Sequence, residues 1–156
     1  MTVKLRPAVP DDDAFLLQVY ASTRRDEMAA WGWDAAQQDG FLRMQFRAQQ
    51  GSYAVQFPNM DNDIILYDEK PVGRFVLLRA DDEIRLVDLA LLPEVRGKGI
   101  GTLLLKQVLD ESAATDRPCR LRVLQTNPGA IQLYQRLGFV NISEDPIYVE
   151  MEWRSA

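Results

Sequence analysis

The chain has 156 residues, 47% hydrophobic and 26% charged, with a formal net charge of −5, the profile of one soluble globule large enough to bury a core without disulfide or metal staples. It contains no histidine and a single cysteine, Cys119, which excludes Ser-His and Cys-His nucleophilic pairs, the usual zinc clusters and any intrachain disulfide, so no metal is expected and acid-base work falls to carboxylates, Lys, Tyr, backbone or water. The acidic surplus speaks against nucleic acid, and the lack of a signal-like opening or a membrane-length apolar run predicts a cytoplasmic protein with no membrane partner.

In chain order, Val3 and Leu5 alternate with polar neighbours before Pro7, a short first strand. Pro10 and Asp11, Asp12 and Asp13 cap and charge the start of a helix through Phe15, Leu16, Val19 and Tyr20. Residues 23–50 stay helical in pattern except near Gly32 and Asp34, which predicts two helices joined by a turn. Phe41, Met44 and Ala48 mark one side of the second, with Leu42 and Phe46 widening the stripe. Gly51 is expected to stop that helix, and residues 53–57 to form a short strand. Residues 64–67 and 72–78 read as a hairpin about the turn 68–71, and residues 81–83 lead into a third strand from Ile84.

The centre of the chain is an apolar run over residues 84–92, then Pro93, then Gly97, Gly99 and Gly101, then Ile100, Leu103, Leu104 and Val108 at helical spacing. That order predicts strand, tight glycine loop, helix. The first amides of a helix lack intrahelical partners and lie at the positive end of its dipole, while glycine permits positive φ and carries no Cβ to hold an anion away. Residues 96–102 therefore read as an anion site with Arg96 and Lys98 adding charge, or as a turn whose glycines serve geometry alone. Pro118 ends the helix by about Asp116, residues 120–124 alternate as a strand, and Asn127 with Pro128 starts a helix bearing Ile131, Tyr134 and Leu137. Gly138 closes it, and Phe139, Val140, Ile142, then Ile147, Val149 and Met151 supply the last strands. The expected architecture is mixed α/β, a single domain over residues 1–156 with a sheet of about six to seven strands, antiparallel early, parallel across the glycine-loop helix and flanked by helices on both faces.

Two nucleotide-binding motifs fail here. A Walker loop needs Ser or Thr after Gly-Lys, and Lys98 is followed by Gly99; a dinucleotide fingerprint needs GxGxxG and an acidic residue ending the next strand, and that strand ends at Leu124 and Gln125. Arg96, Gly99 and Gly101, preceded by Leu89, Leu91 and Pro93, instead resemble the acetyl-CoA-binding motif of the GNAT superfamily of N-acetyltransferases. A second block, Asn127, Ala130, Leu133, Tyr134, Arg136, Leu137, Gly138 and Phe139, is similar to another part of that family, and Arg6, Pro7 and Ala8 to its opening. The resemblance implies transfer of an acetyl group from acetyl-CoA to an amine by direct attack in a ternary complex, the acceptor being a small molecule or a peptide or protein amine, and it allows a homodimer. It implies that the diphosphate rests on the amides of Arg96, Gly97, Lys98, Gly99, Ile100, Gly101 and Thr102, that the pantetheine arm adds along Leu89, Ala90 and Leu91, and that Asn127, which also reads as a plain N-cap, holds the pantetheine side. A non-catalytic acyl-CoA sensor of the same fold is the alternative, and a dehydrogenase a distant third.

An alkyl ammonium has a pKa of about 10.4, so acetyl transfer needs a base as well as donors to the developing oxyanion and a proton for the thiolate. Tyr134 resembles the family tyrosine that protonates the sulfur. The family's usual glutamate position near the start of the preceding strand carries Arg85, leaving Glu83 and Asp88 as candidate bases, although Asp88 also reads as a partner for Arg74. Cys119 reads as buried filler. The acceptor is expected under the helices of residues 23–50, where Asp26, Glu27 and Asp34 suit a cation and Trp31, Trp33 and Tyr53 would wall it, core packing being the other role for these aromatics.

Overall fold

The computed structural model describes residues 2–156, apart from the side chains of Asp26 and Glu27. The strands are β1 Val3–Pro7, β2 Asp61–Tyr67, β3 Lys70–Arg79, β4 Ile84–Leu91, β5 Cys119–Leu124, β6 Val140–Glu144 and β7 Tyr148–Trp153; the α-helices among the described residues are α1 Asp13–Ser22, α2 Arg25–Ala29, α3 Ala35–Gln56, α4 Ile100–Ala114 and α5 Pro128–Arg136. The strands form one sheet in the order β1-β2-β3-β4-β5-β7-β6. It is mixed as expected: β1 runs antiparallel to β2, β4 parallel to β5 across the α4 crossover, and β7 antiparallel to both β5 and β6. The backbone forms two compact units, Met1–Val76 with Leu89–Lys98, and Leu77–Asp88 with Gly99–Ala156.

In the first unit, the Asp12 carboxylate accepts from the Arg6 guanidinium at 2.8 and 2.9 Å and from the Val9 amide at 2.8 Å, which ties the start of α1 to β1. Those bonds, the guanidinium first, hold its pKa down at about 2. Leu16 of α1, Phe46 of α3 and Ile64 of β2 form one buried cluster, and Ala21, Met28 and Leu42 another. The buried stripe of α3 is therefore Leu42 and Phe46, whereas Met44 is 61% exposed. Phe41 is drawn from the expected Met44 stripe because its ring stacks edge-on against Trp31 and Trp33.

The expected helix stop at Gly51 and strand over residues 53–57 are corrected: α3 runs on to Gln56. A mid-helix glycine costs about 1 kcal/mol, and the contacts beyond it outweigh that. Tyr53 packs its ring on Phe57 and under the guanidinium of the buried Arg74, which also donates to Gln49, Gln50 and Asn62. The β2–β3 hairpin turns on Asp68 and Glu69, both at positive φ, in the primed geometry that matches strand twist. At Gly73 a Cβ would stand 2.3 Å from the Ala90 carbonyl oxygen, so glycine is what lets β3 approach β4 there.

In the second unit, α4 buries Ile100, Leu104, Leu105, Val108 and Leu109, and the register puts Leu121 opposite Met151 and Val123 opposite Val149, all buried on one sheet face. The alternate residues of β5 and β7 on the other face include the charged Arg120, Arg122, Glu150 and Glu152. The β4–β5 ladder pairs only Ile84, Arg85 and Leu86 with Cys119, Arg120 and Leu121, although β4 continues to Leu91.

Candidate active site

The expected strand, glycine loop and helix are present. After β4 a 3-10 turn, Pro93–Val95, leads into a loop in which Gly97 and Gly99 have φ of +76° and +83°. These are left-handed values that residues with a Cβ seldom adopt. Gly99 is the N-cap of α4 and provides no side chain to its first turn, so those amides stay available to an outside acceptor. A Cβ at either glycine would meet nothing within 4 Å; the conformation and the open approach, not crowding, require glycine here. The loop therefore fits an anionic group such as the diphosphate of acetyl-CoA. Arg96 and Lys98 are both exposed, but their side chains have local tasks. Arg96 Nε donates to the Leu91 carbonyl at 2.9 Å, and Lys98 Nζ lies 5.6 Å from the centre of the Tyr67 ring.

Tyr134 sits inside α5, 9% exposed, its ring edge-on to Phe139 at 5.7 Å. Burial, then the negative charge of Asp88, pushes its phenol up to about 12. That coupling puts Tyr134 and the half-buried Asp88 within electrostatic reach of each other. Asn127 caps α5: its Oδ1 accepts from the Ala130 amide at 3.2 Å. Burial pushes the Cys119 thiol up to about 12 as well, which disqualifies it as a nucleophile at neutral pH.

Glu83 is placed differently. It accepts from Arg85 Nε at 2.9 Å and from Arg120 at 3.1 Å; Arg85 also pairs with Glu150, Arg120 with Glu152 at 2.9 Å, and Arg154 with Glu152 at 2.7 Å. The Glu83 side chain is 17% exposed within this lattice. Its carboxylate is shared between two guanidinium groups by charge-assisted hydrogen bonds.

The aromatic residues expected to wall the acceptor make the following ring contacts. Trp31 and Trp33 pack on each other at 5.2 Å, 48% and 36% exposed, while Tyr53 belongs to the Arg74 and Phe57 cluster. Asp34 N-caps α3 through Gln37, and the side chains of Asp26 and Glu27 lie outside the described structure. Sequence reasoning missed a cleft of about 520 Å³ in the first unit. Gln18 and Ser22 of α1, Arg25 of α2, and Leu92, Glu94 and Arg96 after β4 line it. The i, i+4 spacing of Gln18 and Ser22 on a helix whose buried residues are Leu16, Val19 and Ala21 was the available signal.

With fold and loop in view, the chain's class is defined: residues 17–139 match the acetyltransferase (GNAT) family, and the chain belongs to that family. Its fold is similar to that of the PaiA N-acetyltransferase of Thermoplasma acidophilum, solved in complex with coenzyme A (TM-score 0.74, 20% identity, covering 99% of this chain and 100% of that one). It is also similar to Campylobacter jejuni PseH in complex with acetyl coenzyme A (TM-score 0.61, 14% identity, covering 99% and 100%); at these identities the likeness is one of fold. In sequence it is 41% identical over 64 residues to a thialysine N-epsilon-acetyltransferase of Sus scrofa. That match spans 39% of this chain and 36% of the relative, about a third of the relative's length.

Among the described residues, no helix is long and apolar enough to cross a membrane, and no group of three or more His, Cys, Asp or Glu side chains could hold a metal ion.

Proposed function

We propose that the chain transfers an acetyl group from acetyl-CoA to a primary amine by direct attack in a ternary complex. The observation that carries this is the uncapped start of α4 after two left-handed glycines, in a chain whose family is the acetyltransferases. Acetyl-CoA supplies the activated acetyl thioester. The amides of residues 96–102 would hold its diphosphate, and the backbone of Leu89, Ala90 and Leu91 would orient the pantetheine arm as an added strand and donate to the carbonyl oxygen. The Asn127 carboxamide, whose oxygen caps α5, has its two amide hydrogens left for the same arm.

Tyr134 acts as the proton donor to the leaving sulfur. A phenol pushed up to about 12 is intact at neutral pH, so its O–H is always available, and partial burial strengthens the hydrogen bond it gives. Asp88 takes the proton of the incoming ammonium, directly or through one water. Glu83 is the second base candidate by sequence; its ion pairs with Arg85 of β4 and Arg120 of β5 support a role in holding those strands together instead. The name of the partial relative supports an alkyl amine as acceptor.

The test is free thiol released from acetyl-CoA, followed across a panel of primary amines. Amine-dependent release that disappears on omitting the amine is the expected result. Acetyl-CoA binding without release for any amine would leave the non-catalytic sensor as the better account.

A further inference from the structure

Resting on the acetyltransferase reading, we infer that the cleft beside β4 recognises the head of a free amino acid, carboxylate and α-ammonium together, and so selects amino acids with a second, distal amine as acceptors. The cleft begins where the reacting strand ends. Leu92 follows β4 directly, and Arg96 is tied by Nε to the carbonyl of Leu91, the last residue of that strand, at 2.9 Å. About 520 Å³ lies within the range of small-molecule sites, roughly 300–1,000 Å³, and is ample for one amino acid.

Its lining carries both signs of charge. Arg25 and Arg96 are cationic, Glu94 is anionic, and Gln18 and Ser22 add neutral donors and acceptors. A diamine or polyamine would find two guanidinium groups and one carboxylate, a net repulsion. A zwitterionic head meets a partner for each end: the planar guanidinium fork for the carboxylate and Glu94 for the α-ammonium. Arg25 is free to take this role because its ion pair with Asp39 is long, 3.8 Å, and both side chains are more than half exposed; such pairs are weak and readily exchanged. In the reaction one C–N bond forms at the distal amine and the thioester C–S bond breaks. The electron pair leaves with sulfur, and the proton lost by the amine is balanced by the one the sulfur gains.

The experiment compares L-lysine with 1,5-diaminopentane, which differ by the carboxylate alone, in thiol release by the full chain and by Arg25→Glu and Glu94→Gln variants whose folding is checked by thermal melting. The expected result is a kcat/KM for lysine about tenfold or more above that for the diamine, a preference lost or reversed in Arg25→Glu, mostly through KM, and weakened in Glu94→Gln. Equal or better use of the diamine by the wild type overturns the inference, as does an Arg25→Glu variant that changes both amines by the same factor. No release from either amine overturns it too, while release from other amines in the wider panel would show that acetyl transfer itself stands.

Discussion

The two ends of β4 handle polar groups in opposite ways. At its beginning, Arg85 pairs in register with Arg120, and the neighbouring carboxylates of Glu83, Glu150 and Glu152 close a lattice in which each guanidinium group has two acidic partners or shares one. Beyond Leu86 no ladder to β5 continues, and the strand runs into a loop whose glycines expose amides and whose helix begins without a side-chain cap. One end satisfies its hydrogen-bonding groups internally, and the other starts its helix with no side-chain cap. On the proposed reading, the first end serves stability and the second serves binding.

Substitutions at each end should separate these roles. The largest effect is expected at Tyr134: Tyr134→Phe should lower kcat by about 10²–10³-fold with acetyl-CoA affinity unchanged, the signature of a lost proton donor. A parallel rise in the dissociation constant would show that the hydroxyl binds rather than reacts. Because the phenol titrates near 12, the wild-type rate should show no alkaline limb from this group below about pH 10, the ordinary tyrosine value.

Asp88→Asn should come next, with a fall of about 10²-fold in kcat/KM at pH 7 that is partly recovered at higher pH as more of the amine becomes neutral. A loss that stays the same at every pH would remove Asp88 as the base. Glu83→Gln should do something different in kind: cost about 1 kcal/mol of unfolding free energy, between the values for exposed and buried pairs, while the rate moves by no more than about twofold. If Glu83→Gln instead abolished turnover without lowering the melting temperature, the division between the two ends of β4 would be wrong.

The smallest effect belongs to Asp12. Its folded pKa, about 2, lies below the ordinary 3.8, so the stability it gives through Arg6 is complete above about pH 4. It is lost as pH falls from there through 2. Asp12→Asn should therefore flatten the acid side of the stability profile in that window and leave it unchanged in shape at neutral pH, as followed by urea melts.

These contrasts also explain what the sequence could disclose. The glycine loop, α4, the Asn127 and Pro128 helix start and the order of antiparallel and parallel strands are local patterns with local causes, and they were legible. Gly51 was misread because the evidence that overrides it, Arg74 over Tyr53, comes from a strand more than twenty residues away. The ion pairs of Glu83 were hidden for the same reason: its partner Arg120 lies 37 residues on in the chain. Trp31 and Trp33 were expected beside Tyr53 in an acceptor wall, and in the structure they pack on each other and on Phe41, rings close to them in sequence. The cleft had the weakest signal, since its lining comes from two helices and a turn separated by more than sixty residues.

Calorimetric titration of acetyl-CoA into the wild-type chain and into Gly99→Val addresses the glycine loop directly, with both proteins confirmed as folded. A φ of +83° at a branched residue costs roughly 1–2 kcal/mol and moves the amides of the helix start, so the account predicts one site per chain in the wild type and affinity lowered by about tenfold or more in the variant. Equal heats and equal affinities for the two proteins, or no heat for either, would contradict it.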